Sequence, residues 1–339
     1  MNAEARILEL KEKVIRGGAV TFEEAAFLIH LEGGDVIERL SDAAQEITLH
    51  FSGGKFDLCS LINAKSGMCI EDCGFCSQSV HYDTGVATYP MVDRETAFRR
   101  AKLMEENGAD SYCLVCSGDQ LSEADFEILC DTVAYIRRHV KIDIDVSIGF
   151  LDRRRAECLR ALGVRRVNHN LQSSREFYPN IVTTHTYDDR LNTLRVLKEV
   201  GLEVCSGGIL GMGETREDRL KLAFQLREIE PRVVPLNFLN PRSGTPLEGR
   251  PQEEVWELVK TVAVFRFILP RVILELAGGR EHNLGGHQLR ALRAGGNGLI
   301  IGGYLTTPAD AIEQDRRLVR EAGYSLPLSS AEAEEKAGV

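Results

Sequence analysis

Residues 56–79 read FDLCSLINAKSGMCIEDCGFCSQS, a short β-rich run passing straight into a loop with three cysteines. The run, Phe56–Ile62, is the first of eight candidate strands; the others are Ser111–Val115, Ile142–Ile148, Val167–Leu171, Glu203–Leu210, Val233–Asn237, Val272–Leu276 and Gly298–Ile301. Stretches of helical period lie between and after them: Asp93–Asn107, Ser122–His139, Arg153–Leu162, Tyr187–Val200, Thr215–Glu228, Gln252–Ile268, Gly286–Ala294 and Pro308–Ala322. Short buried runs alternating with helices imply βα units around a parallel sheet. Eight such units make a (β/α)8 TIM-type barrel. An open doubly wound sheet is the alternative, but no GxGxxG turn follows the first strand.

Outward from this core, residues 1–50 read as a helical extension, with Thr21 placed to cap a helix whose first turn carries Glu23 and Glu24. The barrel is expected over 51–326, and a loose tail, rich in Ala, Glu and Ser, over 327–339. The chain has 339 residues, 43% hydrophobic and 27% charged, and a net charge of −10. That composition excludes disorder as the main state. No apolar run approaches the roughly eighteen residues of a membrane span, and the amphipathic N-terminus lacks signal-peptide features, so a cytoplasmic location is expected. The acidic balance speaks against nucleic acid or an anionic membrane as partner.

Nine cysteines, an odd number without a secretory signal, point to metal or redox chemistry rather than a disulfide framework. Cys69, Cys73 and Cys76 form a CxxxCxxC group. Three thiolates at this spacing hold three corners of a cubane iron–sulfur cluster and leave one iron open to a small-molecule ligand. A structural zinc site wants a fourth closed ligand, and none lies nearby in sequence.

The loop, with Phe75 just before its last cysteine, resembles that of the radical S-adenosylmethionine (SAM) superfamily. The resemblance implies a [4Fe-4S] cluster whose open iron is chelated by SAM, and reductive cleavage of SAM to a 5′-deoxyadenosyl radical that abstracts hydrogen from unactivated carbon. Further stretches resemble the biotin synthase family: Cys76-Ser77-Gln78-Ser79, Asn168-His169-Asn170-Leu171, Thr183-Thr184-His185-Thr186-Tyr187, Val204-Cys205-Ser206-Gly207-Gly208-Ile209, Gly211-Met212-Gly213-Glu214-Thr215, Val234-Pro235-Leu236-Asn237 and Gly279-Arg280-Glu281, in that family's order. This second resemblance implies sulfur insertion into dethiobiotin. Asn170 and Asn237 would hold the substrate, their amides offering both donor and acceptor to a ureido ring. Phe75, Asn170, Gln172, Arg190, Ile209 and Glu214 would serve SAM, with Arg190 at its carboxylate and Ile209 against adenine. A homodimer and a flavodoxin or ferredoxin as electron donor are also implied.

The family pattern carries a second, sulfur-donating cluster held by three cysteines and an arginine. Cys113 and Cys205 match two of those cysteines, with Cys205 among the catalytic residues, but Asp145 and Glu275 stand at the other two positions. Carboxylates are hard donors, poorly matched to sulfide clusters. Cys59 and Cys116 are additional thiols near strand positions, so a rebuilt auxiliary cluster on some or all of Cys59, Cys113, Cys116 and Cys205 is expected, its nuclearity open and four irons included. Cys130 and Cys158, on helices, are read as small buried hydrophobes. His169 is expected to pack or hydrogen-bond in the barrel, and His282 and His287 to belong to a loop. Gln172 replaces the family's usual aspartate, removing charge assistance to ribose hydroxyls. Two rivals remain: a hydrogenase-maturase or methylornithine-synthase type of enzyme, which needs no sulfur donor, and a non-catalytic metal-binding redox sensor.

Overall fold

The computed structural model describes residues 2–305, 312–327 and 329. Three helices come first: α1 (Ala3–Ile15), α2 (Phe22–Ile29) and α3 (Gly34–Ser52). Thr21 caps α2 in a reciprocal capping box with Glu24. Then β1 (Asp57–Lys65), α4 (Arg94–Glu106), β2 (Ser111–Cys116), α5 (Glu123–His139), β3 (Asp143–Ser147), α6 (Arg153–Ala161), β4 (Arg166–Asn168) and α7 (Tyr187–Val200) alternate. The second half runs β5 (Glu203–Cys205), β6 (Gly208–Leu210), α8 (Arg216–Ile229), β7 (Val233–Phe238), α9 (Val255–Ile268), β8 (Ile273–Leu276), α10 (Arg280–Leu284), α11 (Gln288–Arg293), β9 (Gly298–Ile301) and α12 (Ile312–Glu321).

All strand pairs are parallel. The order β5-β4-β3-β2-β1-β9-β8-β7-β6, with a further β5–β7 pairing, closes the sheet on itself. With β5 and β6 as halves of one strand, this is the eight-stranded barrel expected. The fifth strand breaks because its backbone turns to a side chain: the Gly207 N–H donates to Asn170 Oδ1 at 3.0 Å. Only glycine fits there, since a Cβ on Gly207 would stand 2.0 Å from the Pro235 carbonyl oxygen. The helix expected over Gly286–Ala294 divides into a 3-10 turn and α11, and the short α10 ahead of it was not anticipated. The loose tail and the start of the Pro308–Ala322 helix fall largely outside the described residues.

The apolar core lies between the outer face of the sheet and the helices, and α9 is buried along its whole last two-thirds beneath α2, α3 and α8. Inside the barrel the pattern reverses. Alternate residues of successive strands point inward, and they are Cys59, Cys113, Asp145, Arg166, Cys205 and Glu275 in place of the usual branched aliphatics.

Candidate active site

Two cavities open at the C-terminal ends of the strands, one above the other. The upper, of about 190 Å³, is lined by Cys69, Cys73, Cys76, Asn170 and Arg190 among others. Its roof is the loop after β1, folded back on itself: the Cys69 N–H donates to the Gln78 carbonyl at 3.1 Å and the Val80 N–H to the Cys69 carbonyl at 2.8 Å. Gly67 turns the chain at φ 74°, where a Cβ would press on Thr88 Oγ1 at 2.4 Å. The loop is also tied to the segment ahead of α7. Asp72 accepts the N–H groups of Thr183 (2.9 Å) and Thr184 (3.2 Å), and the Gly74 N–H donates to the Ile181 carbonyl at 2.8 Å. These bonds hold the Asp72 carboxyl at about 2, against burial.

A second tie reaches Arg190. Its Nε donates to the Tyr178 hydroxyl and a terminal nitrogen donates to the Asn170 carbonyl at 3.1 Å. With its oxygen accepting from Arg190, the Tyr178 O–H donates to His185 Nε2 at 2.7 Å, which leaves Nδ1 to donate to Glu71. Burial and the Arg190 charge hold His185 below its ordinary pKa, consistent with a neutral ring in this tautomer. The relay Arg190–Tyr178–His185–Glu71 links the group facing the cavity to the residue two places after Cys69. Burial pushes the Cys73 thiol up to about 12, Arg190 opposing, and raises Cys76 and Cys69 as well. Such thiols give up their protons to a metal rather than to water.

The lower cavity, of about 390 Å³, holds Cys59, Cys113 and Cys205 together with Asp145, Glu275 and Arg166. Phe75, Asn170, Gln172, Ile209 and Asn237 line its upper part. Among the described residues the Asn170 NH2 group has no partner, whereas Asn237 accepts from the Gly278 N–H at 3.0 Å and donates to the Gly208 carbonyl at 3.3 Å. Gln172 sits at φ 71°, and among the described residues its side-chain oxygen has no partner. Burial drives all three interior thiols well above their ordinary pKa. Among the described residues, no three His, Cys, Asp or Glu side chains close on the dimensions of a single ion. Three buried thiols spread around one cavity suit instead a polynuclear cluster, whose ligands sit on different irons.

Two expected residues stand apart from the lower cavity. β2 runs through Cys116, whose odd spacing from Cys113 keeps it out of the lower cavity; it borders the upper one, with its Sγ 3.6 Å from Met91 Sδ. Glu214 faces neither cavity; it accepts from the Gly211 N–H (2.9 Å) and from Arg219 Nε (2.8 Å), bracing the turn below Ile209. Cys130 and Cys158, read as separate hydrophobes, face each other at 3.9 Å between α5 and α6. His169 stacks on Phe150 and borders the upper cavity, and His287 stacks on Trp256. Arg166 was missed, although strand parity with Asn168 was enough to aim it inward.

Family models match in the same places: the Radical SAM superfamily over residues 64–226 and the Biotin and Thiamin Synthesis associated domain over 235–325. The biotin synthase of Carboxydothermus hydrogenoformans is 43% identical over 323 residues, covering 95% of this chain and 99% of that one. That of Clostridium tetani is 43% identical over 324 residues, covering 95% and 99%. The chain belongs to the biotin synthase family. Among solved structures, methylornithine synthase superposes with a TM-score of 0.81 at 22% identity over 97% of this chain and 100% of that one. The [FeFe]-hydrogenase maturase of C. hydrogenoformans gives 0.79 at 18% over 96% and 80%. Both share the barrel.

Within a biotin synthase barrel the interior carboxyls give the metal-free protein a distinctive pH response. Burial pushes Glu275 up to about 8, Asp57 adding and Arg166 opposing, and pushes Asp145 up to about 6 against Arg166 and Arg165. A raised carboxyl binds more protons folded than unfolded, so stability falls as pH climbs toward the folded pKa. The depressed histidines act oppositely below about 6.5. Between pH 6.5 and 8 the apoprotein is therefore expected to lose about 1–2 kcal/mol that Glu275→Gln does not lose. Parallel denaturant titrations across that range check it, and equal slopes for parent and variant would refute it.

Proposed function

We propose that this chain converts dethiobiotin to biotin, using SAM bound in the upper cavity and sulfur held at the interior thiols. The observation that carries this reading is the stacking of Cys59, Cys113 and Cys205 directly beneath the mouth formed by Cys69, Cys73, Cys76 and Arg190. A rival chemistry without sulfur transfer has no use for three buried thiols at the floor of its substrate cavity. Cys69, Cys73 and Cys76 would hold a [4Fe-4S] cluster, which would supply the one-electron reduction that SAM cleavage needs. The protein's own part is to bind and to aim. Arg190 meets the SAM carboxylate, Phe75 and Ile209 give adenine an apolar bed, and Gln172 offers an uncharged amide to ribose. Asn170 and Asn237 hold the ureido ring between the two cavities. A flavodoxin or ferredoxin delivers the electrons, and the working assembly is a homodimer.

Anaerobic incubation with dethiobiotin, SAM and a reductant tests the proposal. Biotin together with 5′-deoxyadenosine is the expected product pair; 5′-deoxyadenosine with neither biotin nor a thiol intermediate would overturn it in favour of another substrate. The relay behind Arg190 makes a finer prediction. Tyr178→Phe removes the hydroxyl that joins Arg190 to His185, and the apparent Kd for SAM is expected to rise about tenfold, the equivalent of ~1.4 kcal/mol for one charge-assisted bond. The rate at saturating SAM should stay near the parent's. The cluster's EPR change on SAM addition reads the affinity, and an unchanged midpoint would show that Arg190 needs no such support.

A further inference from the structure

Three thiols leave one corner of a four-cornered cluster without a cysteine, since Cys116 borders the upper cavity and not the lower. The candidates to take it are Asp145, Arg166 and Glu275, all at least 97% buried by side chain or residue. Two of them are already engaged with each other. Asp145 Oδ2 lies 3.5 Å from both Arg165 and Arg166, and Arg166 reaches on to Glu203 at 3.5 Å. Glu275 is different. Asp145 Oδ1 is likewise a buried oxygen with no partner, but its other oxygen is met by two guanidiniums, whereas among the described residues the Glu275 carboxyl makes no hydrogen bond and no ion pair.

The strand register explains why. Glu275 lies between Pro235 of β7, which has no N–H, and Gly298 of β9, which has no side chain. Neither neighbour provides a donor. A buried carboxyl without a partner costs several kcal/mol unless something else meets it, and what it shares the lower cavity with is the three thiols of Cys59, Cys113 and Cys205.

The geometry points to Glu275 as the fourth protein ligand of the interior cluster, an oxygen donor at the corner that Cys59, Cys113 and Cys205 leave free. The inference rests on the interior cluster proposed above. A carboxylate is a weaker partner for iron in a sulfide cluster than a thiolate, so this corner is the exchangeable one, facing the substrate cavity.

The test uses the full chain carrying Cys69→Ala, Cys73→Ala and Cys76→Ala, so that iron taken up reports the interior site alone. After anaerobic loading with ⁵⁷Fe and sulfide, Mössbauer spectra are expected to show one iron distinct from the thiolate-bound remainder. Glu275→Ala should abolish that distinct component, and Glu275→Cys should merge it with the others. A distinct component surviving in both variants, or absent from the parent, overturns the assignment of Glu275 while leaving the cluster in place. Failure of the triple-alanine chain to take up iron overturns the interior cluster itself, and the assignment with it. Should Glu275→Ala not fold, Glu275→Cys carries the comparison.

Discussion

A Cys73→Ala variant is expected to release no 5′-deoxyadenosine from SAM, a loss of at least about 10⁶-fold, the low end of what enzymes contribute over the uncatalysed reaction. Cys73 is the middle thiol of its loop, buried, and faces Arg190 across the upper cavity. Alanine removes only the sulfur. The contacts that shape the loop belong to the backbone and to neighbours: the Cys76 N–H to the Cys73 carbonyl at 2.9 Å, the Gly74 N–H to Ile181, and Asp72 to Thr183 and Thr184. The fold should therefore stand while two thiols alone fail to keep a cubane with one open iron. The variant should also bind less iron than the parent yet keep the interior fraction, which separates loss of one cluster from collapse of the barrel. Cleavage of SAM at a substantial fraction of the parent rate would mean that the open metal corner lies elsewhere.

What could be read before the structure divides along a physical line. The barrel was legible because each βα unit writes its own local signal, short apolar run and then amphipathic helix, and Cys69, Cys73 and Cys76 were legible because four-residue and three-residue spacings confine their thiols to one loop. Inward-facing groups on different strands were partly legible through parity. Cys59, Cys113 and Cys205 obey it, and Cys116 was misplaced only because the strand was taken to end before it, where alternation no longer applies. Arg166 and Glu275 share a cavity from opposite walls, an adjacency that depends on barrel closure and register rather than on any local pattern. The same holds for the relay of Glu71, Tyr178, His185 and Arg190: its members come from two segments over a hundred residues apart, and only their folded distances join them. Glu214, carried to the cofactor by resemblance of its motif, accepts the Gly211 and Gly213 N–H groups within the turn that shapes the pocket wall, a contact set by the folded turn.

Cys205→Ala is expected to separate the two halves of the reaction: 5′-deoxyadenosine formation continues at a rate comparable to the parent's, while biotin falls at least about a hundredfold, beyond the 10–100-fold that loss of an outer partner of a metal site costs. Cys205 ends β5, paired with Asn168 of β4 and Val233 of β7, with its thiol in the lower cavity beside Arg166 and Glu275. Its thiol does not line the upper cavity, and its ties to Asn168 and His169, which do, run through the backbone, where alanine keeps them. Removing the thiol therefore leaves SAM binding and cleavage intact and subtracts one of three sulfur ligands from the interior. The next strand half depends on Asn170 and Gly207, not on the Cys205 side chain, so the substrate amides keep their places. Quantifying both products from one anaerobic reaction makes the comparison internal. Biotin persisting at the parent level would show that the interior thiols are not where the inserted sulfur comes from; loss of both products together would show that the wall the two cavities share, with Cys76 and Asn170 in it, couples them.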